Sequence, residues 1–361
     1  MLEMIKEDNV WDNLKRSSKP VVLYGMGLGA EKIMDTLSQY EIEVSDIFAS
    51  DDFVRGHFFK GFKVLKYSEV CEKYDDFNIV LCFASHLDSV IEKISRINSE
   101  HTVFAPDVPV AGGGLFSREF IKENEEKFDY IYSHLADEES RRVYVDILNF
   151  KVSGKIKYLL SSFCDKSSVY SDILKLNQNE SIIDLGAYDG DTIREFCAAT
   201  GGKYSSITAL EPDEKNFKKL LKNTDGMANV NCLNMGAWSC RDTLIFSTKA
   251  GRNSRLSAEG AGVNVTDIDS LNLKPTFIKM DIEGSELKAL CGMEKTVKAF
   301  NPKLYVCAYH RNEDLFALPL KIWELNENYK IYFRHSKYIP AWESNFYAVA
   351  ELNQRTFRAC L

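Results

Sequence analysis

The sequence feature that most constrains the fold is the stretch from Ser181 to Asp191. Its apolar residues Ile182, Ile183 and Leu185 are typical of a buried strand, and glycines at positions 186 and 190 end that strand. A helix is predicted to follow over residues 192–199. A short strand, a glycine loop and a helix N-terminus in succession indicate an α/β domain in which the N–H groups of the loop face a ligand.

Acidic residues in this loop narrow the chemistry of the ligand. Asp184, Asp189 and Asp191 would repel a pyrophosphate, but they suit a ligand that carries an ammonium, a sulfonium or ribose hydroxyls. Glu211 follows the next predicted strand. Because the carboxyl ends of neighbouring parallel strands share one edge of a sheet, its carboxylate can accept hydrogen bonds from both ribose hydroxyls. These features together match S-adenosylmethionine.

Strands and helices alternate regularly after residue 180, which predicts an open, mostly parallel sheet. A single helix is predicted over 285–300, and the last two strands, 329–334 and 345–349, could form an antiparallel pair at one edge. Ligands of such sheets bind at the carboxyl ends of the strands. Those ends are predicted at Asp184–Asp191, Glu211, Gly236–Trp238, Asp281–Glu283 and His310.

Three motifs at these strand ends resemble the FkbM-type family of class I methyltransferases. They are Asp-Leu-Gly-Ala-Tyr-Asp-Gly-Asp-Thr at 184–192, Glu-Pro-Asp-x-x-Asn-Phe at 211–217 and Phe-Ile-Lys-Met-Asp-Ile-Glu-Gly-Ser-Glu at 277–286. The stretch 309–320 also looks like that family. The resemblance covers about residues 158–350 and does not reach the N-terminal region. It implies a seven-stranded Rossmann-like methyltransferase domain that moves a methyl group from S-adenosylmethionine to a hydroxyl, commonly of a sugar or a polyketide.

The resemblance also implies a cofactor site. Gly186 and its neighbours would hold the methionine end, Glu211 the ribose, and Gly236 to Trp238 would lie near the adenine. Trp238 could equally be a core aromatic residue. The complete set of predicted cofactor residues is Asp184, Gly186, Ala187, Tyr188, Asp189, Gly190, Glu211, Pro212, Gly236, Ala237, Trp238 and Asp281.

Methyl transfer to a sugar hydroxyl calls for a general base, because the hydroxyl pKa lies far above neutrality. His310 is the first candidate and Asp281 and Glu283 follow. His310 could instead be a structural hydrogen-bonding residue. Asp281 and Glu283 could hold a divalent cation that lowers the hydroxyl pKa, but two acids alone specify no metal, and we predict no metal site.

Two further polar groups in the C-terminal half have alternative interpretations. Lys279 could place a charge near the substrate, or its stem could simply fill the core. The residues 252–255, Arg-Asn-Ser-Arg, could contact the substrate at the same edge of the sheet or form a solvated loop.

A second glycine motif lies near the N-terminus. Gly25, Gly27 and Ala30 follow a predicted strand over 21–24 and precede a predicted helix, as in the dinucleotide-binding fingerprint. A second strand ends at Asp51 and Asp52, where an acidic partner for a ribose is expected. Two interpretations remain open: the Gly25–Ala30 turn binds a nucleotide or a nucleotide-sugar, or it serves only the packing of helix on strand.

Gly112, Gly113 and Gly114 form the clearest flexible joint in the chain. We therefore predict a small Rossmann-like domain over 1–110, a helical connector over 111–165 and the methyltransferase domain over 166–361. The connector could alternatively act as a lid over a substrate cleft.

Composition limits the partners and the compartment. A net charge of −8 with no dense basic run argues against wrapping a nucleic acid. The nine cysteines are scattered and contain no Cys-x-x-Cys pair, which favours a reducing compartment. The first residues are too polar for a signal peptide, and no apolar run is long enough to span a membrane. A cytoplasmic protein is therefore predicted, with homodimerisation left open.

The function predicted from the sequence is S-adenosylmethionine-dependent O-methylation of a sugar, a glycan precursor or a related natural product. One alternative is an NAD- or nucleotide-sugar-dependent enzyme that uses Gly25–Ala30. No Tyr-x-x-x-Lys dyad supports it at Tyr67, where Cys71 occupies the position of the lysine. The other alternative is a non-catalytic protein that binds the cofactor or a sugar nucleotide.

Overall fold

A computed structural model of the chain describes residues 1–50, 54, 56–109, 111, 113–247, 255–256 and 261–351. It contains two large, mostly parallel sheets, which a group of helices joins, and one small mixed sheet. Some residues named in the sequence predictions lie outside the described residues: Asp51, Asp52, Gly112 and residues 252–254. The side chain of Arg255 is likewise not described.

The N-terminal sheet has the strand order β3-β4-β2-β1-β5-β6, and all of its described pairs are parallel except the β3–β4 hairpin. Its elements are a 3-10 turn Leu2–Met4, α1 Val10–Arg16, β1 Val21–Tyr24, α2 Leu28–Gln39, β2 Val44–Phe48, β3 Phe58–Phe59, β4 Phe62–Leu65, α3 Tyr67–Lys73, β5 Asn78–Leu81, α4 Asp88–Glu100 and β6 Val103–Phe104. Strand β1 is fully buried, as its unbroken apolar run predicts for a central parallel strand.

Four helices connect the two large sheets: α5 Arg118–Glu123, α6 Glu125–His134, α7 Glu138–Ser153 and α8 Lys157–Ser162. Local sequence sets the ends of α7, because the Asp137 side chain caps its N-terminus and Gly154 ends it in the left-handed conformation. Ten residues of α7 are buried. Helix α7 is thus part of the core, and the division of the chain into two domains and a connector stays a prediction.

The C-terminal sheet has the order β10-β9-β8-β15-β16-β18-β17-β7. Its elements are β7 Phe163–Cys164, α9 Lys166–Ser168, a π-helical turn Val169–Ile173, β8 Ser181–Leu185, α10 Asp191–Ala199, β9 Ser206–Leu210, α11 Glu214–Asn223, β10 Val230–Leu233, β11 Gly236–Ala237, β12 Asp242–Ser247, β13 Arg255–Leu256, β14 Ala261–Thr266, a 3-10 turn Asp269–Leu271, β15 Phe277–Met280, α12 Glu286–Cys291, α13 Glu294–Phe300, β16 Lys303–Cys307, α14 Asp314–Leu325, β17 Tyr329–Ser336 and β18 Ser344–Ala350. Strands β11 to β14 form the small separate sheet, in the order β11-β14-β12-β13.

The predicted fold class is confirmed. Strands β10, β9, β8, β15 and β16 run parallel, and β18 lies antiparallel between β16 and β17. The antiparallel pair of final strands was therefore predicted correctly. Strand β7 extends the sheet beyond β17, and the sequence did not predict it because two residues are too short for a periodic pattern.

The single helix predicted over 285–300 is wrong, because the chain forms α12 and α13 with a break at Gly292. The reason is a close backbone approach: a Cβ at Gly292 would overlap the carbonyl oxygen of Trp238. Gly292 also accepts backbone hydrogen bonds from Ile268 and Asp269. Strand β14 was not predicted either, since Gly262 and the polar Asn264 interrupt its apolar residues.

Helix α7 joins the two large sheets. At one end Asp137 pairs with Arg334 of β17 at 2.6 Å, and at the other Lys151 pairs with Asp107 beyond β6 at 2.5 Å. Buried side chains of the N-terminal sheet, the connecting helices and the C-terminal sheet form one continuous cluster, exemplified by Tyr24, Tyr144 and Ile183.

Among the described residues, none of the helices combines the length and the apolar character needed to cross a membrane. The eight cysteines in this part of the chain are all free thiols.

Candidate active site

A cleft of about 960 Å³ opens along the carboxyl ends of β8, β9, β15 and β16. Among the described residues that line it, acidic residues outnumber lysines nine to three. This charge balance suits a cationic or hydroxyl-rich ligand and opposes a polyphosphate. Nine of the predicted site residues line the cleft: Gly186, Tyr188, Glu211, Pro212, Gly236, Ala237, Asp281, Glu283 and His310.

The glycine loop after β8 lies directly against the end of β15. Gly186 has a φ of 78°, and a Cβ there would overlap the carbonyl oxygen of Asp281. Glycine at this position therefore allows the loop to approach the neighbouring strand, beyond any room that it leaves for a ligand. Gly190, with a φ of 86°, is the N-cap of α10 and is not among the residues that line the cleft.

Asp184 and Lys279 form a buried ion pair beneath the loop. Asp184 Oδ1 lies 3.1 Å from Lys279 Nζ, and the two side chains are 0% and 4% exposed. Lys279 Nζ also donates a hydrogen bond to the carbonyl oxygen of Gly186 at 3.0 Å. Burial tends to lower the pKa of Lys279, but the neighbouring charges of Asp184 and Asp281 raise it above its ordinary value. Asp184 would thus contact a cofactor only indirectly, through the loop that Lys279 holds.

Glu211 follows the end of β9 and lines the cleft, and hydrogen bonds orient both of its carboxylate oxygens. One oxygen accepts the backbone N–H of Tyr188 at 2.9 Å, and the other accepts the backbone N–H of Asp213 at 2.8 Å. Burial raises the pKa of Glu211 to about 7, although the hydrogen bonds from the two N–H groups tend to lower it. Each carboxylate oxygen keeps acceptor capacity for a ligand hydroxyl.

The remaining predicted cofactor residues lie away from the cleft lining. Ala187 is fully buried in the core, and Asp189 Oδ1 lies 3.5 Å from Arg194 Nη2. Trp238 directs its ring toward Lys288, whose Nζ is 5.9 Å from the ring centroid. A contact of these side chains with a cofactor stays a prediction.

His310, three residues after the end of β16, is surrounded by carboxylates. Its Nδ1 lies 3.0 Å from Glu286 Oε1, and its Nε2 lies 3.4 Å from Asp281 Oδ1 and 3.6 Å from Glu283 Oε2. Burial tends to lower the pKa of His310, but the charges of Glu286, Asp281 and Glu283 raise it to about 10. The imidazole is therefore protonated at neutral pH.

Sequence reasoning missed two residues of this cluster. Glu286, which is 0% exposed, also accepts the backbone N–H of Ile282 at 2.9 Å. Tyr309 donates its hydroxyl to Asp281 Oδ1 at 3.0 Å. Glu286 closes the motif at 277–286, but only the tertiary structure brings it beside His310.

Atoms of Asp281, Glu286 and His310 lie within 4.8 Å of one another, close enough to share a cation. One of these donors already has another partner, since Glu286 Oε1 accepts the backbone N–H of Ile282, and three donors of these common types specify no particular ion. The donor set therefore gives no specific support to a metal, and the absence of a metal site stays a prediction.

Three cleft residues other than glycine have positive φ angles: Tyr188 at 47°, Glu283 at 56° and Glu343 at 73°. Such conformations cost free energy, and they persist where the surrounding structure holds them. Their presence along one cleft indicates that side-chain placement there is constrained.

The N-terminal glycine turn has a packing function. A Cβ at Gly25 would meet the ring of Phe83, and a Cβ at Gly29 would overlap the carbonyl oxygen of Cys82 at the end of β5. These contacts favour the packing interpretation of Gly25–Ala30. Binding of a nucleotide-sugar at this turn stays a prediction.

Comparisons with known proteins agree with this geometry. A family model described as the methyltransferase FkbM domain matches residues 184–339. The fold is similar to the crystal structure of methyltransferase FkbM from Methylobacillus flagellatus, with a TM-score of 0.70, 22% sequence identity, and coverage of 96% of this chain and 92% of that one. The likeness in fold thus includes the N-terminal region. The chain matches no curated protein.

Two other solved structures share only part of the fold. Fibrillarin from Aeropyrum pernix in complex with S-adenosyl-L-methionine matches with a TM-score of 0.34 and 12% identity, over 51% of this chain and 72% of that one. An rRNA methylase from Streptococcus thermophilus matches with a TM-score of 0.35 and 13% identity, over 52% of this chain and 94% of that one.

The residues of the cleft fit S-adenosylmethionine. Glu211 offers oriented acceptors for hydroxyls, and the acidic lining suits a sulfonium. The N–H groups of Gly186 and Ala187 donate to the carbonyl oxygen of Leu210 and that of Tyr188 donates to Glu211, so the expectation that the loop N–H groups face a ligand is wrong at these three positions. Together with the family match, this fit identifies residues 184–339 as a methyltransferase FkbM domain, the domain of an S-adenosylmethionine-dependent methyltransferase.

Proposed function

We propose that this protein methylates a hydroxyl of a sugar or a glycan precursor. The observation that carries the proposal is the carboxylate pair Asp281 and Glu283, which lies in the cleft beside the glycine loop and is held by a protonated histidine. An acceptor hydroxyl must lose a proton during methylation, whereas a thiolate or a neutral amine can attack without a base of this kind.

When bound, S-adenosylmethionine supplies an electrophilic methyl group on a sulfonium. The protein residues orient the two reactants and exclude water, because methyl transfer is an in-line displacement that gains most from correct placement. Glu211 would fix the ribose, and the Gly186 loop would fix the methionine end. Lys279 keeps that loop in place through its bond to the Gly186 carbonyl.

The proton of the acceptor hydroxyl would pass to Asp281 or Glu283. His310 already carries a proton at neutral pH, so its first role would be to hold these carboxylates in place. Asp281 is ionised, because the charges of Lys279 and His310 and the hydrogen bond from Tyr309 lower its pKa although burial raises it. In this proposal Asp281 and Glu283 become the first candidates for the base, ahead of His310, which the sequence places first.

The first experiment is calorimetric titration of the purified protein with S-adenosylmethionine. We expect saturable binding that is lost in Glu211→Ala and retained in Glu214→Ala, a matched change at an exposed position of α11. Binding of equal strength in Glu211→Ala would contradict the cofactor assignment.

The second experiment measures formation of S-adenosylhomocysteine with sugars and nucleotide-sugars as acceptors, against amines and thiols of similar size. We expect turnover with hydroxyl acceptors and at least a tenfold decrease in Asp281→Asn. Loss of one general base typically costs ~10²–10⁴-fold, and Glu283 would replace Asp281 in part. Turnover confined to amines or thiols would contradict O-methylation.

A further inference from the structure

The lining of the cleft includes three aromatic rings from two distant parts of the chain. His86 precedes α4 of the N-terminal region, and Tyr338 and Trp342 belong to the loop between β17 and β18. The His86 and Tyr338 ring centroids are 5.9 Å apart at an interplanar angle of 30°, and those of Tyr338 and Trp342 are 5.9 Å apart at 32°. The rings therefore follow one another at shallow angles along the wall of the cleft.

Backbone and ionic contacts hold this strip in place. Ser85 and Ile339 exchange two backbone hydrogen bonds, of 2.8 and 3.0 Å, and Lys337 pairs with Asp88 at 2.5 Å. The buried His335 lies with Nε2 3.0 Å from the carbonyl oxygen of Tyr338. Burial lowers the pKa of His335 to about 4, so its ring is neutral and Nε2 donates this bond. The N-terminal region is thus built into the catalytic cleft.

Charged side chains accompany the rings. Asp88, Lys337 and Glu343 line the same part of the cleft, and they can bond hydroxyl groups in the plane of a ligand ring. A pyranose presents C–H bonds on its face and hydroxyls around its edge, and C–H groups are attracted to the negative face of an aromatic ring. An apolar chain would contact the rings but would lie against these charged groups and take them out of water without a hydrogen bond in return.

We propose that His86, Tyr338 and Trp342 form a subsite that binds a pyranose ring of the acceptor, with Asp88, Lys337 and Glu343 contacting its hydroxyls. The inference rests on the proposed function and makes it more specific, because the N-terminal region then takes part in acceptor recognition through His86 and Asp88, not through its glycine turn. This subsite would determine which sugar is presented to Asp281 and Glu283.

Fluorine NMR of protein labelled with fluorotryptophan tests the subsite. The chain contains four tryptophans, and the resonance that disappears in Trp342→Phe belongs to Trp342. We expect methyl hexopyranosides to shift this resonance saturably. Sorbitol, an open-chain polyol, should shift it much less because it has no ring face. Absence of a saturable shift, or an equal response to sorbitol, would overturn the proposal.

Two variants test the strip itself with the same probe. His86→Ala and Tyr338→Ala should weaken methyl hexopyranoside binding roughly threefold to tenfold, as expected for loss of one aromatic contact. Tyr130→Ala is the matched control, because Tyr130 stacks on His134 outside the lining of the cleft. A sugar affinity that is the same in all variants would contradict the assignment.

Calorimetry with S-adenosylhomocysteine on the same samples separates this inference from the proposed function. Cofactor binding and sugar methylation without a Trp342 shift would overturn the subsite and leave the function standing. A saturable Trp342 shift with no methylation of any hydroxyl acceptor would support the subsite and contradict sugar O-methylation.

Discussion

At the residue scale, the proposed role of Glu211 would couple cofactor binding to pH. Burial holds its pKa near 7, so a modest acidification protonates the free protein at this position. A ligand whose ribose hydroxyls donate to the carboxylate binds the ionised form and must displace that proton. The affinity for the cofactor is therefore expected to be highest above the pKa of Glu211 and to decline below it.

We therefore predict that the affinity for S-adenosylmethionine decreases by up to about tenfold per pH unit below the Glu211 pKa. In Glu211→Gln the affinity should be lower and nearly independent of pH over the same interval. Glu214→Gln, with its exposed side chain, should keep the wild-type profile. Calorimetry across the pH range provides the measurement, and a flat wild-type profile would exclude the proposed role of Glu211.

The second residue-scale prediction concerns the base. Because Asp281 is ionised and His310 stays protonated up to about pH 10, turnover should be nearly constant from neutral pH to mildly alkaline pH. If neutral His310 accepted the proton, kcat would rise about tenfold per pH unit up to the pKa of His310. The pH dependence of kcat at saturating substrate distinguishes the two, and a rising profile would restore His310 as the base.

The third prediction concerns the buried pair Asp184–Lys279. Removing one partner leaves an uncompensated charge in the core, so Lys279→Met should lower the free energy of unfolding by about 3–5 kcal/mol. Asp184→Leu combined with Lys279→Met removes both charges and should recover most of that loss. Urea unfolding measures both. A double variant no more stable than Lys279→Met would show that the two positions do not act as a pair.

At the element scale, backbone contacts hold the loop between β8 and α10 against the neighbouring strands. The loop N–H groups of Gly186 and Ala187 both donate to the carbonyl oxygen of Leu210 at 3.0 Å. A side chain at position 186 would collide with the end of β15, so the loop could not close against Asp281.

Gly186→Ala should therefore lose measurable S-adenosylmethionine binding and unfold at lower urea concentration. Gly201→Ala is a matched control: Gly201 also has a positive φ, of 64°, but a Cβ there would meet no atom within 4 Å among the described residues. It should cost only roughly 1–2 kcal/mol of backbone strain and leave binding intact. Normal cofactor binding by Gly186→Ala would show that the loop can shift without loss of function.

At the scale of the whole molecule, one hydrophobic cluster includes residues of both large sheets. Tyr144 of α7 donates to the carbonyl oxygen of Leu315 at 2.8 Å, while Lys151 of the same helix pairs with Asp107. Helix α7 thus makes buried polar contacts with both halves. The three segments 1–110, 111–165 and 166–361 remain a proposal for how the chain is divided.

We predict that the chain unfolds in one cooperative transition, because separation of the sheets would expose their shared core. Calorimetry should give a single peak whose van't Hoff enthalpy agrees with the measured enthalpy. Lys151→Met should lower the midpoint without splitting the peak. Two resolved transitions, with the first confined to the N-terminal sheet, would show that the halves are independent folding units.

The sequence by itself predicted the two largely parallel sheets, the glycine loop at 186–190 and the position of Glu211 at the neighbouring strand end, because these depend on apolar periodicity and on residues close together in the chain. It also predicted that Asp281, Glu283 and His310 lie at one edge of a sheet, because the end of each strand can be read from the residues around it. It did not predict the break at Gly292 or strand β14, where long-range contacts override local propensity.

Only the tertiary structure decided the charge states and the shape of the cleft. The proton on His310 depends on Glu286, which lies on a different element, and the burial of Asp184 depends on Lys279 from the adjacent strand. The ring strip joins His86 to Tyr338 and Trp342, which are far apart in sequence. Burial and electrostatic coupling arise from packing in three dimensions, so sequence patterns over a few residues do not contain them.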